Sequence, residues 1–423
     1  MTNAAERNNR ISLMLSFDNL IDVSFFLLLF SVFTNIFFDG VNNYFYFFAF
    51  FAFLGTTTIR LIFRIRQTGR VVLPTITLWY GLFVLYGFAS ILWAYDPGAC
   101  FHVTSRIVQC LIIQFCMAQN YSSKTALPRC LKIIAFASVM SSIYMLSQTP
   151  LDHLFKNPFG SASSSLNPNM FGVIYSFGAL ITYFFACHHH KKLAYPIAFY
   201  LVFMVIITGS RKSTIIVLLG ILLLSVLLTQ RRYRFLRLLI TLGVVVLILY
   251  LIMTVPELYA VLGRRFDSML GFFNNTEEDY SMTLRLTFMR VAKDIFMENF
   301  FFGVGIINFH VVLGTLMNSS TYAHNNYYEL LADLGLVGFV LYYSYYVYVA
   351  IATLRRALLG SQYAKLMLTL ILAILLCDFG IISFYTIQVN VIFTCTTLLL
   401  SVCEVRRRTP VPAPAPQALP AAE

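Results

Sequence analysis

An apolar run of about 17 to 25 residues is long enough to cross a bilayer as a helix, and this chain strings such runs together from end to end. A chain so built must satisfy its backbone hydrogen bonds inside each segment, which makes it a bundle of helices. Twelve spans are predicted, at roughly 19–38, 42–63, 71–94, 102–118, 130–148, 168–187, 194–209, 213–230, 238–256, 329–353, 366–382 and 388–404. The expected fold is an all-α polytopic membrane protein with one large, partly helical extracytoplasmic loop, 256–328, between spans nine and ten. Residues 1–408 are expected to form a single transmembrane domain. The Pro/Ala-rich stretch 409–423 is expected to be a disordered cytoplasmic tail.

Composition supports this reading. Only 11% of the residues are charged, against about 25% in soluble domains. The net charge of +12 does not point to nucleic acid, because Lys and Arg follow the membrane. One set of short loops holds Arg60, Arg64, Arg66, Arg70, Lys124, Arg129, Lys191, Lys192, Arg231, Arg232, Arg234, Arg355, Arg356 and Arg406–Arg408. By the positive-inside rule these loops and both termini are cytoplasmic. The eight cysteines lie mostly in apolar runs and show no CxxC spacing, so neither a disulfide framework nor a metal site is expected. His188, His189 and His190 sit beside Lys191 and Lys192 and read as a solvated basic loop. No cleavable signal peptide is expected, because the first run is long enough to span.

A few polar residues break the trend on the outer side. Arg211 and Lys212 lie in TGSRKST, at the start of span eight. Arg264, Arg265, Arg285 and Arg290 lie in the long loop, whose acidic residues offset them. Guanidinium forks suit phosphate, and a helix N-terminus beside Ser210 and Ser213 adds N–H donors. The alternative for each Arg is an interfacial anchor. Span ten opens with TYAHNNYYELLADLGLVGFV, where His324, Asn325, Tyr328, Glu329 and Asp333 crowd an apolar run. Neutral imidazole can take a proton from a hydroxyl. Read as a helix, this stretch puts His324 with Tyr328 and Glu329 with Asp333 on shared faces, and Gly335 and Gly338 permit close helix packing.

These motifs, in this order, resemble the O-antigen ligase and O-antigen polymerase superfamily. The resemblance rests on His324–Asn325 followed by Gly335 and Gly338, on SLNPNMFG around Asn169, on the Ser–Arg pair of TGSRKST, and on SMTLRLTFMR leading to FFGVGIINF. It covers about 160–345 in motifs and the whole chain in topology. It implies a metal-independent, inverting glycosyltransferase of a bacterial cytoplasmic membrane, with no cofactor and an active site facing outward. The donor would be an undecaprenyl diphosphate-linked glycan. The acceptor would be a sugar hydroxyl, on another lipid-linked glycan for a polymerase or on lipid A–core for a ligase. By position, Arg211 and Arg285 would hold the diphosphate and His324 would act as base or orient the acceptor. Asn325, Lys212, Arg265, Arg290, Tyr328, Glu329 and Asn169 are the further binding candidates. Met289 stands where the family's Arg–x–x–x–Leu pattern has Leu, so Arg265 and Arg290 compete with Arg285 for the role of the loop arginine. Polymerisation is the leading reading, ligation the alternative and lipid-linked glycan transport a third; a polymerase reading allows a chain-length regulator among the partners.

Overall fold

The computed structural model describes residues 2–34, 43–69, 71, 73–150, 154–155, 168–274, 279–318 and 320–408. The expected tail, 409–423, lies outside them. The described residues are helices joined by turns: α1 (Thr2–Thr34), α2 (Asn43–Thr68), α3 (Thr75–Ala89), α4 (Pro97–Tyr121), α5 (Ala126–Ser147), α6 (Pro168–His188), α7 (Ala194–Ile207), α8 (Arg211–Leu228), α9 (Arg234–Thr254), the single turn α10 (Pro256–Leu258), α11 (Arg264–Phe273), α12 (Tyr280–Glu298), α13 (Asn308–Met317), α14 (Asn326–Leu358), α15 (Gln362–Cys377) and α16 (Ile387–Arg408). Short polar side chains start several of them. Asp96 accepts from Ala99 N–H ahead of Pro97, Asp279 from Met282 N–H, and Ser361 from Ala364 N–H, each satisfying a donor that the first turn leaves open.

Among the described residues, nine helices are long and apolar enough to cross a membrane: α1 to α6, α8, α9 and α14. The other three expected spans are helical but shorter in their apolar part, at Ala194–Ile207, Gln362–Cys377 and Ile387–Ser401. Two of them are short for a visible reason. α7 stops at Ile207 because the following turn, 208–210, and the first residues of α8 recede into the bundle, with Thr208, Ser210 and Ser213 all buried. α15 stops at Cys377, short of the expected 382, because residues 378–386 run as non-helical chain inside the protein. Ile381, Ile382, Ser383 and Phe384 are buried there. Irregular backbone at that depth needs protein partners. Asn326 Oδ1 accepts from Ser383 and Phe384 N–H (2.7 and 3.3 Å), and Asn390 Nδ2 donates to the Ser383 and Thr386 carbonyls (2.9 and 3.0 Å).

The main core is aromatic and aliphatic. Phe25 meets Phe53 and Tyr121 with ring centroids 5.0 and 5.2 Å apart, and Tyr346 stacks on Phe393 at 3.9 Å. α9 lies at the edge of this core: only Thr241 and Ile252 are buried, Val245 and Ile248 pack against the core, and most of its other apolar side chains are exposed. The bundle has two chemically distinct ends. One is tied by Asp18 to Arg60 and Arg129 (2.9 and 2.8 Å) and by Asp22 to Arg129 (3.2 Å). The other gathers the starts of α6, α8 and α14, the 378–386 segment and the helices between 256 and 325.

α14 is broken near its start. Gly335 has φ 62° and ψ −168°, a region open essentially to glycine alone. The break frees two carbonyls and two amides, and the turn 300–305 takes all four. Val304 and Gly305 N–H donate to the Ala332 and Asp333 carbonyls, while Leu336 and Val337 N–H donate to Phe300 and Phe301. The two backbones are so close that a Cβ on Gly303 or Gly335 would sit 2.4 Å from main-chain atoms of the other segment. Gly335 therefore docks the loop on α14, which corrects its expected role in close helix packing.

Candidate active site

The turn between α7 and α8 sets Arg211 and Lys212 at the recessed start of α8. Gly172 of α6 lets this turn approach, since a Cβ there would meet Ser213 Oγ at 2.7 Å. Ser210 occupies the cap position without capping the helix. Its hydroxyl donates to Asn169 Oδ1 (3.0 Å) and pairs with Ser213 Oγ (2.9 Å). Ser210 and Ser213 are buried, so their side chains brace α6 against α8 and are not available to an anion. Asn169, expected among the binding residues, is part of that brace.

Arg211 is drawn to the loop. Its Nη1 donates to Asp279 Oδ2 (2.7 Å) and to the Arg265 carbonyl (2.8 Å). Asp279 also caps α12, so one carboxylate fixes the loop helix to the start of α8. Burial pushes its carboxyl up, but the Arg211 hydrogen bond and the Met282 N–H outweigh this and hold it below the usual carboxylate range. Arg265 donates to the Gly209 carbonyl (3.0 Å). Lys212 Nζ donates to the Gly380 carbonyl, so the non-helical 378–386 segment sets its direction.

Arg285 projects from α12 toward this group. It is half-buried and donates no hydrogen bond to any described residue, and burial followed by Arg211 lowers its pKa. Arg290, one of its two competitors, is exposed on the same helix and takes no part in the cluster. Among the loop cations, Arg285 is thus the one left with a free fork beside Arg211.

His324 sits next to these cations. It is not on a helix: its φ is +57°, and α14 begins only at Asn326 with Asn325 as its cap. The expected helical pairing of His324 with Tyr328 does not form, and Tyr328 points outward, 36% exposed. The imidazole lies against Tyr322 (centroids 4.0 Å) and nearly parallel to Phe288 (6.3 Å, 11°). Burial, then the charges of Arg285 and Lys212, pull its pKa from 6.5 down to about 4. At neutral pH the ring is uncharged and can accept a hydrogen bond.

The remaining candidates support this arrangement from below. Asn325 Oδ1 accepts from Tyr327 and Tyr328 N–H (3.0 and 3.3 Å). Glu329 and Asp333, both fully buried, turn away from any substrate. Glu329 Oε2 accepts from Ala323 N–H (2.6 Å), the residue before His324, and Oε1 pairs with His310 Nε2 (3.0 Å). Asp333 accepts from Ile307 and Phe309 N–H, both at 2.8 Å. Glu329 thus moves from the expected binding set to a strut that holds the His324 turn. The reading of the sequence missed His310 and the parts that Asp279 and Asn326 play. Asp279 carried a signal, an Asp two residues before a helical pattern. The roles of His310 and Asn326 carried none, because their partners lie 19 and 57 residues away.

The arrangement gathers four cations, Arg211, Lys212, Arg265 and Arg285, around one internal carboxylate and an uncharged imidazole. It can neutralise a doubly charged anion and orient a neighbouring hydroxyl. Residues 196–343 match a family model described as O-antigen ligase. That stretch runs from α7 into α14 and contains Arg211, Lys212, Arg265, Arg285 and His324; over it the resemblance to the O-antigen ligase and polymerase superfamily holds. No curated protein matches the chain.

Proposed function

On the premise that residues 196–343 carry an O-antigen ligase domain, we propose that the protein moves a glycan from undecaprenyl diphosphate to a sugar hydroxyl at the outer face of a bacterial cytoplasmic membrane, polymerising lipid-linked repeat units. The observation that carries this reading is Arg285, a half-buried guanidinium that donates no hydrogen bond to any described residue and has Arg211, Lys212 and His324 as neighbours. A diphosphate is already a good leaving group. Catalysis then consists of stabilising its growing charge and positioning the acceptor. Arg285 and Lys212 supply the counter-charge, Arg211 is held ready by Asp279, and no metal is required by this donor set. The acceptor oxygen attacks the anomeric carbon, the bond to the diphosphate breaks, and the hydroxyl proton passes to His324. The incoming diphosphate offsets the Arg285 and Lys212 charges that depress His324, so donor binding itself makes the imidazole a better base. Attack opposite the leaving group inverts the anomeric centre. The basic, ion-paired end with Arg60 and Arg129 supports placing the other end outside.

Ligation to lipid A–core is the second reading, favoured by the description of the matched family. Deleting the gene separates the two. Loss of long chains with one repeat still attached supports polymerisation, whereas loss of all attached glycan with lipid-linked polymer accumulating supports ligation. Arg285→Ala and His324→Ala should each abolish transfer with membrane insertion intact, and EDTA should leave the purified enzyme active. Normal transfer in either variant overturns the site, and rescue of EDTA-treated enzyme by a divalent metal overturns the metal-free chemistry.

A further inference from the structure

A further arginine stands unused at the same end of the bundle, on α4. Arg106 lies about 14 Å along that helix from Pro97, and two contacts fix its level. Ahead of α4, Asp96 N–H donates to Asn308 Oδ1 of α13 (2.6 Å), so the helix rises to meet the loop helices. One turn past Arg106, Gln109 Oε1 accepts from the hydroxyl of Tyr46 (2.6 Å), which stands in the first turn of α2. Arg106 is therefore on a ledge level with the start of α2, beside the taller α4. It is half-buried and donates no hydrogen bond to any described residue. One turn above it on the same face, His102 is exposed. Tyr46 and Tyr385 are its neighbours. Tyr385, in the non-helical 378–386 segment, also neighbours Tyr322, Glu329 and Asp333, and the Tyr322 ring lies 4.0 Å from that of His324. The ledge thus reaches the His324 turn through two tyrosines. The cations that act on His324 itself are Arg285 and Lys212, so Arg106 is a second cationic point, separate from the first.

A guanidinium left without a partner near a bilayer is costly unless it is used, and its planar fork fits phosphate. An acceptor anchored in the same leaflet as the donor brings a lipid phosphate of its own. That phosphate cannot share the donor's cations without like-charge repulsion. It must also lie a glycan's length from the hydroxyl that reaches His324. Arg106 meets both conditions. We propose that Arg106 binds the lipid-borne phosphate of the acceptor, so that donor and acceptor lipids are held at two separate cationic points with His324 between their glycans. This assignment rests on the glycosyltransferase reading above, in its polymerase form, and adds an acceptor subsite to it.

The test is steady-state transfer by the full-length protein in nanodiscs. The donor carries a radiolabelled glycan whose own acceptor hydroxyl is methylated, so that it can only give. The acceptor is the same repeat unit on a lipid diphosphate or on an uncharged ether of that lipid. By kcat/KM the wild type should favour the diphosphate acceptor about tenfold or more, the factor expected of a charge-assisted hydrogen bond. Arg106→Gln should abolish that preference through KM for the acceptor, with KM for the donor not following. Arg106→Lys, which keeps the charge without the fork, should fall between. A preference retained in Arg106→Gln overturns the subsite and leaves the reaction standing; where that variant does not fold, an undiminished preference in Arg106→Lys overturns it equally. Failure of the wild type to use either acceptor overturns the polymerase reading and this subsite with it. Anionic phospholipid added to the nanodisc at the acceptor's concentration should leave KM for the acceptor unchanged. A rise in the wild type that is missing in Arg106→Gln would make Arg106 a general headgroup anchor and overturn the assignment.

Discussion

At the scale of single residues, the site depends on which polar groups are already satisfied. Glu329, Asp333, Asn325 and Asn169 look like ligands in the sequence, yet each spends its oxygens on the protein. Arg285 and His324 do not, and this separates the working groups from the supporting ones. The depressed His324 has a measurable consequence. Its native pKa of about 4 lies below the unfolded value near 6.5. Between those values the unfolded chain binds a proton that the native protein does not, so stability is lost as pH falls from about 6.5 toward 4. His324→Gln removes that term. The thermal midpoint of the wild type in detergent should therefore drop more between pH 7.5 and pH 4.5 than that of His324→Gln. Equal drops would mean that His324 is not held uncharged by its neighbours.

At the scale of elements, the sequence marks a glycine where the structure needs a break. A continuous α14 could not accept the 300–305 turn, because its carbonyls at 332 and 333 would be bonded within the helix. The positive φ of Gly335 frees them, and the missing Cβ of Gly303 lets the turn come that close. Gly335→Ala adds both a disfavoured backbone conformation, costing about 1–3 kcal/mol, and a clash with the Phe301 main chain. Its expected outcome is a lower thermal midpoint together with protease cleavage between α12 and α13, a segment that should resist cleavage in the wild type. An unchanged midpoint and cleavage pattern would show that the turn is not anchored at this break. The same logic explains the ends of α7 and α15: both helices are cut short where buried side chains receive non-helical chain.

At the scale of the whole molecule, the two ends of the bundle differ in what they offer, and the proposed orientation follows from that difference. A cysteine replacing Tyr328 should react with a membrane-impermeant maleimide added to intact spheroplasts. One replacing Lys192 should react only after permeabilisation. The reverse pattern would turn the site inward and end the reading of an outward-facing transferase. The helical membrane fold was legible from the runs alone, because apolar length and a scarcity of charge are local properties of the chain. The cation set and the histidine were legible as residue types that are costly near a bilayer unless they are used. The sequence could not say which arginine of the loop stays unpaired, that His324 precedes the helix in a left-handed turn, or that Glu329 faces inward. Those outcomes are decided by hydrogen-bond partners far along the chain: Asp279 for Arg211, Gly380 for Lys212, and Ala323 and His310 for Glu329. Local sequence determines where helices can form and what chemistry is at hand. Only the tertiary structure decides which polar groups are used up in holding the fold and which are left free for a ligand.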